Sequence, residues 1–189
     1  MTMCKLQVKS TVASLILTVV LGGTSGVFAE ETRCVGTIGA RTLDNIVVPE
    51  GRTCTLNSTR AKGSVVVKNG ATLSASEVRV NGNIQAEGAA AVFINPGSIV
   101  GGNVQIKQGG SARISQTRIN GDLQLFANDG PLRITRNRVG GNLQADGNTG
   151  GLRISFNVIA ENLQCKQNTP RPTGSGNTAG DKEGQCSRL

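Results

Sequence analysis

The sequence predicts an all-β protein: a single-stranded, right-handed parallel β-helix of about seven coils, each 19–20 residues long and built from three short strands. Three observations carry that prediction. A phrase returns at a fixed interval, "RITRNRVGGNLQ" from Arg133 and then "RISFNVIAENLQ" from Arg153. Coils can be started at Asp44, Gly63, Gly82, Gly102, Gly121, Gly141 and Glu161, so unit length varies by no more than one residue and large inserted loops have no room. Each unit alternates apolar and polar residues in three short stretches, as half-buried strands do, and no unit holds a ten-residue stretch of helical period. The hand follows from the sterics of parallel crossovers.

Residues 1–29 read as a secretory leader. Lys5 and Lys9 form a basic region, "TVASLILTVVL" from Thr11 an apolar core, and "VFA" ending at Ala29 a small-residue cleavage site. The apolar core is shorter than the roughly 20 residues of a membrane helix, and no later stretch approaches that length. Cys4 precedes the core, so it is no candidate for a lipidated first residue. An exported protein without a membrane span is expected, cleaved near Ala29. Loss of the leader lowers the formal net charge from +8 to +6, since it removes two lysines and no acid.

Residues 30–43 are expected to cap the N-terminal end, 44–165 to form the repeats, and 166–189 to make a C-terminal disulfide cap. Within the repeats the first stretch sends Ile46, Val65, Ile84, Val104, Leu123, Leu143 and Leu163 inward, with a second inward residue two positions later. The second stretch contributes Val92 and Ile94, Ala112 and Ile114, Leu132 and Ile134, and Leu152 and Ile154. The third contributes Val80, Ile99, Ile119, Val139 and Ile159. One such unit cannot bury its apolar face alone; stacked units make one continuous core. Asn137, Asn157 and Asn177 recur just after the second strand. Asparagine tolerates the left-handed backbone of a sharp bend, and stacked amides bond along the axis, so this column is read as a structural ladder.

The four cysteines beyond the leader sit one coil apart in pairs, Cys34 with Cys54 and Cys165 with Cys186. Adjacent rungs lie about 4.8 Å apart, within the Cα range of a disulfide. We therefore expect those two pairings, which staple the terminal rungs, disfavour end-to-end association and suit a monomer in an oxidising compartment.

The segments "GRTCTLNSTRAKGSVVV", "GNLQA" and "NLQCKQNTPRPTGSGNTAGDKEGQC" resemble a widespread set of secreted bacterial repeat proteins that end in a GNLQC…GQC cap. More distantly, the three-strand coil with its asparagine ladder is similar to the right-handed β-helices of the pectate lyase-like superfamily. The likeness spans roughly residues 34–186. It implies the fold and export, and almost nothing about activity.

Histidine, tryptophan and tyrosine are absent. A histidine-based triad and a His/Cys zinc site are thereby excluded, and no cofactor or metal site is predicted. The carboxylates scatter over coils and strands without a calcium-sized group. Asp129 and Asp146 come nearest to an acid–base pair, and both read more simply as solvated turn residues.

Outward columns remain. Gln85, Gln105, Gln124, Gln144 and Gln164 run along the first sheet, two residues beyond Asn83, Asn103, Asp122, Asn142 and Asn162; they offer an amide face to a sugar chain, or an axial ladder. Arg113, Arg133 and Arg153 recur on the second strand, and Arg60, Arg79, Arg118 and Arg138 beside the asparagine bend. Like charges one rung apart repel, whereas a linear guanidinium array suits an extended polyanion. Nucleic acid is disfavoured because only Phe93, Phe126 and Phe156 could provide stacking platforms outside the leader. The expected function is a non-catalytic structural, adhesive or acidic-glycan-binding role at the bacterial envelope; the alternative is a small polysaccharide lyase or hydrolase.

Overall fold

Alternation within each coil resolves into three parallel sheets in the computed structural model, which describes residues 30–189. The leader expected at 1–29 lies outside the described residues. The first sheet has nine strands, from Glu31–Arg33 to Asp181–Gly184. The second has seven, from Gly36–Ile38 to Leu152–Ser155. The third also has seven, all of two residues, from Thr42–Leu43 to Val158–Ile159. Every strand pairs in parallel with its equivalents one coil before and after, giving a parallel β-solenoid of about eight turns. The residues marking the coil starts form one axial chain of backbone bonds, in which Gly63, Gly82, Gly102, Gly121 and Gly141 each donate N–H to the preceding start at 2.8–3.1 Å.

The count exceeds seven because both terminal segments continue the coil. Residues 31–43 supply a strand to each sheet. After Lys166 the chain adds a strand to the first sheet and single bridges, Arg153 to Thr173 and Val158 to Thr178, to the other two. Both disulfides form as expected, with Cα separations of 5.5 Å for Cys34–Cys54 and 5.2 Å for Cys165–Cys186. They fit an oxidising, extracellular environment.

The core is a column of small aliphatics. Ile84, Val104, Leu123, Leu143 and Leu163 are wholly buried, each worth about 1.5–3 kcal/mol relative to exposure. One expected core residue is displaced. Val100 is buried and Ile99 is half-buried on the outer face, in register with Arg79 and Arg118. Two adjacent β-branched residues leave a period of two ambiguous. The choice is made by Ser98, which occupies the inner bend position and accepts the Val78 N–H, so the alternation must bring Ile99 out and Val100 in.

Polar ladders hold all three corners of the coil. Between the second and third sheets, the Oδ1 of Asn157 and of Asn177 accept the backbone N–H of the preceding rung's asparagine at 2.9 and 3.0 Å. Each Nδ2 in this column donates to a buried carbonyl, Ile114, Ile134 or Ile154, at 2.8–3.0 Å. Between the first and second sheets runs a second buried ladder, Asn128, Asn148 and Asn168, closed by Gln185 from the C-terminal segment. At the third corner Asn45, Ser64, Asn83, Asn103, Asp122 and Asn142 accept the next rung's backbone N–H at 2.7–3.1 Å.

Candidate functional site

The amides expected to face a sugar divide into two groups. Asn83, Asn103, Asp122 and Asn142 are engaged in the corner ladder just described, with Asn162 donating its backbone N–H to it. The glutamines form a ladder of their own: Gln105 Nε2 donates to Gln124 Oε1 at 2.6 Å, Gln124 to Gln144 at 3.1 Å, Gln144 to Gln164 at 2.9 Å, and Gln164 to Glu183 at 3.1 Å. Gln85 stands one rung earlier in the same column and is exposed. Since each amide has two N–H donors and two lone pairs, the ladder leaves part of that capacity facing outward.

The second sheet is different. Arg113, Arg133 and Arg153 stand in direct register on consecutive strands, all exposed, with Thr173 bridged beyond them. Alternation along each strand buries the flanking pair, such as Leu132 and Ile134 around Arg133, and so forces the arginine outward. The three guanidinium groups line one shallow open groove of about 480 Å³, joined by Arg171 from the C-terminal segment and by Phe93 one rung before Arg113. Pro131, Gly150 and Gly151 line it as well. No carboxylate is part of that lining among the described residues.

The other arginine column is discontinuous. Arg60 pairs with Arg79 and Arg118 with Arg138, but Ile99 separates the two pairs and Val158 follows Arg138. Arg118 also donates Nε–H to Asn120 at 3.0 Å. Among the described residues the single ion pair is Lys62 to Asp44 at 3.0 Å, distant in sequence from the arginines of the groove. The Lys62 hydrogen bond, and then its charge, hold the Asp44 carboxyl below its ordinary range.

Asp129 and Asp146 are not joined in one site. Asp146 lies between Phe126 and Lys166 on the first sheet, and in the small depression it lines with Gln144 and Gln164 one of its oxygens is buried without a hydrogen-bond partner. Asp129 is exposed in the turn after the strand Leu123–Phe126, one coil earlier, and does not line that depression. No group of three or more Cys, Asp or Glu side chains suited to a metal ion occurs among the described residues.

Two groove residues escape a reading of the sequence by periodic charged columns. Phe93 is legible by period, twenty residues before Arg113, once the column is read for all outward residues. Arg171 is not, because the last turn departs from the repeat and places it off the period. No protein-family model, no curated protein and no solved structure matches this chain.

Proposed function

We propose that the chain is an exported, non-catalytic binding protein of the bacterial envelope, whose second-sheet groove holds an extended polyanion such as an acidic glycan along the solenoid axis. The reading rests on one observation: Arg113, Arg133 and Arg153 are stacked in register, exposed and free of carboxylate partners among the described residues, within a single groove. Rungs about 4.8 Å apart present a charge at each step, and bidentate guanidinium contacts suit carboxylate, sulfate or phosphate. The leader at 1–29 and the two disulfides support export. Binding is favoured over cleavage because the groove's described lining offers cations without an acid–base pair.

The test is retention of the oxidised protein, residues 30–189, on immobilised acidic polysaccharides at low and moderate salt, with polymer breakdown followed in parallel. Salt-sensitive retention that is lost in Arg113→Ala/Arg133→Ala/Arg153→Ala, without breakdown, is the expected result. Breakdown that depends on Asp146 would overturn it in favour of a small lyase or hydrolase.

A further inference from the structure

The large apolar side chains most exposed among the described residues are Val35, Phe156 and Val158, at 61%, 53% and 47%. The last two flank buried Asn157 at the bend between the second and third sheets. Phe156 has a φ of 57°, a left-handed backbone that bulky residues rarely adopt. Other coils fill the same bend with Ser58, Glu77, Gln116 and Arg136, at φ 51°, 56°, 48° and 56°, and with Gly97 at 81°. The fold is therefore satisfied there by polar side chains, and the ring at 156 is not demanded by the bend.

Its surroundings are basic. Arg136, one rung earlier, lies over the Phe156 ring at 5.4 Å. Val158 continues the column of Arg118 and Arg138 on the third-sheet side. Arg133 and Arg153 stand on the second-sheet side. The bend is thus an apolar ridge with arginines on both flanks. Since the two columns occupy different faces of the coil, a single linear polymer lies along one or the other. A layer of anionic headgroups, into which a ridge can press, meets both at once.

We propose that this ridge docks the protein on an anionic lipid surface with the solenoid axis parallel to it. Phe156 and Val158 enter the boundary between headgroups and acyl chains, while Arg118, Arg136, Arg138 and Arg153 contact lipid phosphates. The apolar ridge lies outside the polymer groove, since neither Phe156 nor Val158 lines it, and Arg153 is the one contact common to both.

The chain contains no tryptophan, so Phe156→Trp places a single reporter on the ridge. Its emission is expected to shift to the blue, and to be quenched by brominated acyl chains, with phosphatidylcholine vesicles containing phosphatidylglycerol and not with phosphatidylcholine alone. Co-sedimentation of the otherwise native chain with the anionic vesicles is expected to fall several-fold in Phe156→Gln/Val158→Thr. That variant copies the residues its own column carries at Gln116 and Thr178, and keeps the same polysaccharide retention as the parent. The absence of a shift overturns the proposal. Equal sedimentation of the double variant does so too, by reducing the contact to adsorption of charge. An equal shift with soluble polyglutamate assigns the ridge to an acidic polypeptide instead. Failure of the groove reading is seen separately, in the polysaccharide assay with the arginine variant.

Discussion

Asn157→Ala is expected to cost about 2–6 kcal/mol, a large part of the stability of a domain this size. Asn157 is wholly buried, and its Oδ1 accepts both the backbone N–H and the Nδ2 of Asn137, at 2.9 and 3.0 Å. Its own Nδ2 donates to Ile134 O at 3.0 Å and Asn177 Oδ1 at 2.9 Å. Alanine strands the two Asn137 donors, in a residue that is itself 2% exposed, and each unsatisfied buried group costs about 1–3 kcal/mol. In guanidinium the loss corresponds to a midpoint shift of roughly 1 M. Because each coil touches only its neighbours, the unfolding curve of the oxidised protein should be read beside native-state hydrogen exchange. Protection of the Asn137 amide should fall most. Exposed Gln85→Ala is the control, expected within about 0.5 kcal/mol of the parent. A midpoint matching that control, with the Asn137 amide still protected, would refute the view that the ladder holds the bend.

Gln108→Gly should stabilise by up to about 1 kcal/mol in the same unfolding assay: Gln108 is exposed at φ 49°, while Gly88 and Gly147 fill the equivalent bend, so relief of left-handed strain outweighs the added freedom of the unfolded chain. Gly150→Ala should destabilise by about 1–3 kcal/mol or more, because its Cβ would lie 2.2 Å from Gly130 C and 2.3 Å from Asp129 O, both backbone atoms, whereas Gly39→Ala, with nothing within 4 Å, should be neutral. Arg133→Thr should raise stability at low salt by about 0.4–2 kcal/mol, seen as a higher unfolding midpoint, through removal of two like-charged contacts, with the gain shrinking as salt is added.

The core was legible because small aliphatics at a fixed period leave one way to close a coil, and Leu123, Leu143 and Leu163 fall where the period puts them. Legibility failed where two residues satisfy the same rule. At Ile99 and Val100 only the demand of Ser98 for the inner bend position decides which side chain goes in. The ladder of Asn128, Asn148 and Asn168 was readable from its twenty-residue spacing, but its terminator Gln185 was not, since it comes seventeen residues after Asn168. Left-handed bends show the same limit. Glycine announces them at Gly88 and Gly147, while Gln108, Ala127 and Gln167 adopt them under constraint from the stacked neighbours, which no local propensity reveals. The candidate site divided similarly: the Arg113, Arg133 and Arg153 column is periodic, and Arg171 arrives from a turn that is not.

The outward column of the second sheet contains its own comparison. From the N-terminal end it runs Thr37, Thr55, Ser74, Phe93, Arg113, Arg133, Arg153 and Thr173, all in register. The backbone pairing beneath is the same parallel pairing throughout, so hydroxyl side chains suffice for the fold at these positions. Three adjacent arginines are costlier than hydroxyls, by roughly 0.2–1 kcal/mol for each like-charged contact. Elsewhere on the surface, polar columns bond to themselves: the glutamines to each other and the third-corner asparagines to the next rung's backbone. The arginines of the second sheet have no such partner among the described residues and repel one another. A fold that solves the same position with Ser74 two coils before Arg113, and with Thr173 one coil after Arg153, has no structural need of that charge, which is the physical ground for reading the column as facing a ligand.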